Sequence, residues 1–155
     1  MSFIIQSLSY APFEPLFDLD ATALAAREAR RVIADSRPGY PCRVSLRDAE
    51  VGETLILVQH LHQPACGPYR ASHAIYVREG AVRARPGVGT VPDMLRHRQL
   101  SVRAFGRDHA MRAARLADGW GLEEAIDALF ADEETDYLHI HNAAPGCYAC
   151  AVLRA

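Results

Sequence analysis

The chain contains no lysine, and all 17 of its basic side chains are arginine. Without that amine there is no side-chain Schiff base and no P-loop lysine to hold a nucleotide phosphate. What remains is a supply of planar, permanently charged forks suited to carboxylate or phosphate, although a GC-rich genome produces the same composition for plainer reasons. No apolar run approaches the roughly 18 residues of a membrane span. No GxGxxG or GxxxxGK[ST] sequence opens a helix, which removes the two standard nucleotide loops. Repeats, low-complexity tracts and long polar linkers are also missing. A formal charge of −2 gives no electrostatic case for binding nucleic acid or an anionic membrane surface. Residues 1–6 carry no basic stretch ahead of their apolar residues and soon meet Pro12 and Pro15, so neither a signal peptide nor a transit peptide is expected. A cytoplasmic location follows, with the thiols of Cys42, Cys66, Cys147 and Cys150 reduced.

The 155 residues are 50% hydrophobic and 23% charged, which fits one domain over 1–155. A chain of this length buries roughly 70% of its unfolded surface and needs no structural metal, so a metal or cofactor would serve function. Residues 3–8 read as a strand. Residues 20–35 read as a first helix, with Ala21, Leu24, Ala25, Ala29 and Val32 on one stripe and Arg27, Arg30 and Arg31 opposite. Strands are expected over 42–46, 54–62 and 73–78, with residues 54–58 apolar on both faces and so doubly covered. A helical turn is expected within 91–96, and residues 99–105 and 110–117 form an antiparallel pair around Gly106-Arg107-Asp108. Leu122, Ala125, Ile126, Leu129 and Phe130 fall on one face of a second helix. Residues 137–142 and 147–154 close the chain as a hairpin. The fold class expected is α+β, a mostly antiparallel sheet with two main helices.

Two His-x-His pairs, His60-Leu61-His62 and His139-Ile140-His141, carry metal-ligand spacing, because alternate side chains of a strand share a face. The bland alternative is surface or packed imidazole. Cys147-Tyr148-Ala149-Cys150 matches C-x-x-C, but on a strand residues three apart face opposite ways, which argues against a redox pair. In an even-numbered hairpin loop, Asn142 stands opposite Cys147, His141 opposite Tyr148 and His139 opposite Cys150. Cys150 then joins His139, His141 and His62 as a candidate zinc site, whereas a bulge would reverse the faces and leave Cys147 beside a histidine as a candidate thiolate. The segment Gly67-Pro68-Tyr69-Arg70-Ala71-Ser72-His73 brings an aromatic, an arginine and a hydroxyl into a strand entrance that could hold an anion. Arg43, Arg98 and Arg103 could add charge-assisted hydrogen bonds.

From Pro38-Gly39-Tyr40-Pro41-Cys42-Arg43-Val44-Ser45-Leu46 onward the chain resembles a bacterial family known as domain-of-unknown-function family 1203. The likeness continues through His62-Gln63, Pro68-Tyr69-Arg70-Ala71-Ser72, Leu100-Ser101-Val102-Arg103-Ala104, His139-Ile140-His141-Asn142-Ala143 and Gly146-Cys147-Tyr148. It implies a stand-alone bacterial domain and draws attention to Arg43, His62, Arg70, Ser72, Arg103, His141 and Cys147, without implying an activity. Two readings follow. In the first, the protein is a small-molecule enzyme or ligand-binding domain whose arginine- and histidine-lined cleft takes an anionic ligand. There His62, His141 and Cys147 are the catalytic candidates, and Arg43, Tyr69, Arg70, Ser72, Arg103 and Asn142 the ligand-binding ones. In the second it is a non-catalytic binding or oligomerisation module without metal, whose polar residues satisfy one another.

Overall fold

A computed structural model describes residues 2–155, and the fold is α+β and mostly antiparallel. Ten strands and three helices are present among the described residues, in two five-stranded sheets. The first sheet runs β1 (Phe3–Gln6), β10 (Tyr148–Arg154), β9 (Tyr137–Asn142), β7 (Gln99–Phe105) and β8 (Met111–Asp118), antiparallel throughout. Strict alternation along β9 and β7 sends Leu138, Ile140, Leu100, Val102 and Ala104 to one side. There they meet Leu122, Ile126, Leu129 and Phe130 of α3 (Leu122–Phe130), the helix expected from its apolar stripe. Burying that face of the helix contributes on the order of 1.5–3 kcal/mol per large side chain.

The second sheet runs β2 (Ala29–Ile33), β5 (Thr54–Gln63), β6 (Ala71–Arg78), β3 (Pro41–Cys42) and β4 (Arg47–Asp48), with β3 parallel to β6. β5 lies between β2 and β6 and is covered on both faces, as its apolar run requires. Ile56 and Val58 enter a core with Leu24, Val44, Ile75 and Val77, while Leu55 packs on the other side with Ala34 and Ala49.

The expected helix over 20–35 is confined to α1 (Ala21–Ala25), capped by the Asp20 carboxylate on the Ala23 amide at 2.8 Å. Glu28 then takes φ 54°, in the left-handed region, and residues 29–33 become an edge strand along β5. The β-branched pair Val32-Ile33 suits a strand, and pairing with the central strand overrides the helical stripe. The strand expected over 42–46 stops at Cys42. Leu46 takes φ 50° and donates its amide to the Cys42 carbonyl at 3.0 Å, so residues 43–46 turn inward and Arg43 becomes buried. α2 (Asp93–Arg96) is a single turn, and Gly119 lies so close to it that a Cβ would stand 2.1 Å from the Leu95 carbonyl oxygen. Among the described residues no helix is long and apolar enough to cross a membrane.

Candidate metal centre between the sheets

Alternation on β9 places His139 and His141 on the side away from α3, beside Arg103 and Ser101, their register partners on β7. The third histidine comes from the other sheet. β5 and β6 lose register between Leu61 and Gln63, so His62 occupies an irregularity at the end of the central strand. His62 lies 4.9 Å from His141 and 5.9 Å from His139, ring centroid to ring centroid, edge to face in both cases. One ligating nitrogen from each of the three histidines can be chosen so that all lie within 4.8 Å of one another.

Five buried side-chain polar atoms lack a hydrogen-bond partner among the described residues, and three of them are His62 Nδ1, His139 Nδ1 and His141 Nε2. Orphaned buried groups are rare in folded proteins, so three on adjoining rings point to a common missing partner. His141 Nδ1 is fixed at 2.9 Å from the Gly146 carbonyl, which selects the tautomer that protonates Nδ1 and leaves the Nε2 lone pair free. Burial lowers the pKa of His62 and His139 to about 4 and that of His141 to about 3. The neighbouring imidazoles and Arg103 push in the same direction. Neutral rings with free lone pairs are what a metal needs.

Tyr148 frames the group: its ring stacks on His62 at 5.4 Å and 8°, and meets His139 and His141 edge to face. A cavity of about 370 Å³ opens onto His62 and His139, with Gln63, His109 and Tyr137 on its wall. Gln63 Nε2 donates to the Tyr137 hydroxyl at 2.8 Å, and that hydroxyl lies 2.9 Å from His109 Nδ1. His109 holds φ 63°, in the left-handed region, so its backbone is turned to bring the imidazole to Tyr137. Arg103 has no ion-pair partner among the described residues; its Nε donates to Ser101 Oγ at 3.3 Å, and burial lowers its pKa.

Cys150 is not the fourth ligand its expected register supplies. A bulge between Tyr148 and Cys150 keeps Tyr148 opposite His141 but places Cys150 opposite Ile140, inside the α3 core, where burial raises its thiol pKa to about 12. The same bulge undoes the expectation that Cys147 and Cys150 face apart, because Cys147 stands on the Asn142 side, which Ile140 shares. Cys147 is beside Asn142 as expected, and its Sγ accepts from Asn142 Nδ2 at 3.2 Å and from Arg43 Nη2 at 3.1 Å. It does not join the histidine group.

Arg43 is 1% exposed and ties the two sheets together. Its Nε donates to the Tyr148 carbonyl at 2.7 Å and its Nη1 to the Pro41 carbonyl at 2.5 Å, so with the bond to Cys147 all three of its nitrogens are engaged within the protein. Arg70 is exposed and folds back onto the Pro64 carbonyl, while Arg98 forms a two-pronged ion pair with Asp48. Arg43, Arg70 and Arg103 share no hydrogen-bond partner. Tyr69 packs edge to face on Phe105 at 6.3 Å, and Ser72 is exposed on β6 opposite Leu61. Sequence reasoning overlooked Tyr148, Gln63, Tyr137 and His109 as site residues. Gln63 adjoins His62, and Tyr137 and Tyr148 stand in the hairpin that carries His139 and His141, but nothing local marked His109, which lies in the turn between β7 and β8.

A model of the family described as "Protein of unknown function (DUF1203)" matches residues 39–154, which takes in every residue of this centre. No curated protein and no solved structure matches the chain.

Proposed function

The chain belongs to the DUF1203 family, and from that premise and its own geometry we propose that it is a metal-dependent domain acting on an anionic small molecule. His62, His139 and His141 are the ligands of a divalent ion of the zinc class, and Arg103 receives the anionic group of the substrate. The observation that carries this reading is the set of three unpartnered ring nitrogens on adjoining buried histidines. Imidazole suits zinc and its neighbours in the first transition row, and three protein ligands leave an open position. The chemistry these three histidines would gain from such an ion is that of a Lewis acid, which would activate a bound water for hydrolysis or polarise a substrate oxygen.

The chain's own residues do the rest. Burial keeps the imidazoles neutral, so they are ready to ligate at neutral pH. Gly146 orients His141 through Nδ1, and the Tyr148 ring holds His62 in place by stacking. Arg103 stands on the same face as His139 and His141, and among the described residues no carboxylate pairs with it, so an anion beside it would be favoured over water.

Cobalt(II) substitution tests the reading. The cobalt protein should show the intense visible bands of a four- or five-coordinate site, and adding oxalate or inorganic phosphate should shift them. In Arg103→Met the bands should persist and the shift should weaken about tenfold or more in anion concentration. Bands typical of hexaaqua cobalt would leave the three rings as packing groups of a non-catalytic module.

A further inference from the structure

Away from the histidines, a cleft of about 790 Å³ lies between residues 37–48 and residues 84–97. It shares no lining residue with the cavity at His62 and His139. Its walls carry an unusual balance of charge. Arg47 and Arg85 line it, their side chains without a hydrogen bond or ion pair among the described residues, and His97 is exposed beside them. Arg37 also lines it but is already bridged to Glu50 at 3.3 Å. Of the two carboxylates on the wall, Asp48 is neutralised by both prongs of Arg98, so Asp93 alone opposes two unpaired guanidinium groups.

A second observation points the same way. Ser45 lines this cleft, is 8% exposed, and its hydroxyl is one of the buried polar atoms without a partner. An orphaned buried hydroxyl is unfavourable, and a ligand oxygen or a water would offset that cost. Leu46, Pro86 and Met94 give the same cleft an apolar floor, and its volume falls within the usual range for small-molecule sites, about 300–1,000 Å³.

We propose that this cleft is a second binding site, which takes the phosphate or diphosphate group of a small organic molecule. Arg47 and Arg85 supply the forks, Ser45 and His97 supply further hydrogen bonds, and the apolar floor takes the organic remainder. A single carboxylate would engage one fork, whereas a phosphate or diphosphate offers enough charge and enough oxygens for both. The site does not depend on the metal centre, so the two assignments fail separately.

The test is calorimetric titration of the full chain with inorganic diphosphate, with a chelator present so that no metal contributes. Saturable binding is expected, weakened about tenfold or more in the double variant Arg47→Ala, Arg85→Ala. Neither side chain has a partner to lose among the described residues, so the thermal midpoint of that variant should stay with the parent. Ser45→Ala should weaken binding severalfold without lowering stability, an outcome that a structural role for the hydroxyl does not give. Arg115→Ala, on the exposed edge strand β8, should leave the affinity unchanged. Phenyl phosphate should bind more tightly than inorganic phosphate, and equal or weaker binding would overturn the part given to the apolar floor. Absence of saturable diphosphate binding, equal affinity in the double variant, or the same loss from Arg115→Ala would overturn the proposal.

Discussion

His62 and His141 stand edge to face with their ring centroids 4.9 Å apart, although one belongs to the end of β5 in the second sheet and the other to β9 in the first. The pair therefore exists only when both sheets are formed and joined. Arg43, donating from the turn after β3 to the Tyr148 carbonyl at the start of β10, is one of the bolts across that junction.

Replacing Arg43 should accordingly damage stability first. Arg43→Met keeps much of the volume but leaves the Pro41 and Tyr148 carbonyls without the guanidinium donor and the Cys147 thiol with Asn142 Nδ2 alone. A loss of about 2–4 kcal/mol is expected, read as a lower urea midpoint. A midpoint equal to that of the parent would mean that the guanidinium does not hold the sheets together.

Tyr148 should matter to the metal through its ring alone. Tyr148→Phe keeps the stack on His62 and should keep metal affinity close to the parent's. Tyr148→Ala frees the His62 ring and should cost about tenfold to a hundredfold, the usual effect of losing a group that orients a ligand. Competition against a zinc indicator dye distinguishes the two variants, and equal affinities in all three proteins would contradict the role.

The metal-free protein should lose stability as pH falls from about 7 towards 4. His62, His139 and His141 have folded pKa values of about 4, 4 and 3, below the ordinary value near 6.5. On acidification the unfolded chain takes up protons at these groups before the folded one does, so their contribution is fully present above about 6.5 and declines as pH falls through the folded values. Urea midpoints measured across this window should fall with pH, and less steeply in His139→Ala. A flat profile from neutral pH down to 4 would reject the buried, neutral state of the rings.

Gly119→Ala should destabilise the protein although alanine is small. The added Cβ would stand 2.1 Å from the Leu95 carbonyl and 2.4 Å from the Arg96 Cα, both backbone atoms that cannot swing aside. A cost of about 1–3 kcal/mol is expected. A thermal midpoint matching the parent's would show that α2 shifts freely.

Much of this architecture is legible in the sequence. The alternation of Tyr137-Leu138-His139-Ile140-His141 assigns β9 and both of its faces, and the 3.6-residue stripe from Leu122 to Phe130 assigns α3. What escaped depends on contacts between distant segments. Nothing local shows that Val32 and Ile33 will pair with β5 rather than continue a helix, and nothing local shows that Leu46 will turn left-handed and bury Arg43. The hairpin illustrates the limit most sharply. Its register is correct at His141 and Tyr148, and then one extra residue in β10 moves Cys150 from the histidine side to the core. Bulges of this kind change the face of every residue beyond them without leaving a mark in the hydrophobic pattern. His62 follows His60 toward Tyr148 by alternation, but its meeting with β9 depends on how the two sheets face each other, so the ligand set was readable as residue types and spacing but not as a closed shell.

Zinc stoichiometry measured by equilibrium dialysis on protein purified without an affinity tag, stripped with chelator and then reloaded, tests the account most directly. About one zinc per chain is expected in the parent and in Cys150→Ala, with binding lost or weakened at least about a hundredfold in each of His62→Ala, His139→Ala and His141→Ala. Substoichiometric zinc in the folded parent, or binding that survives all three histidine substitutions, would contradict it.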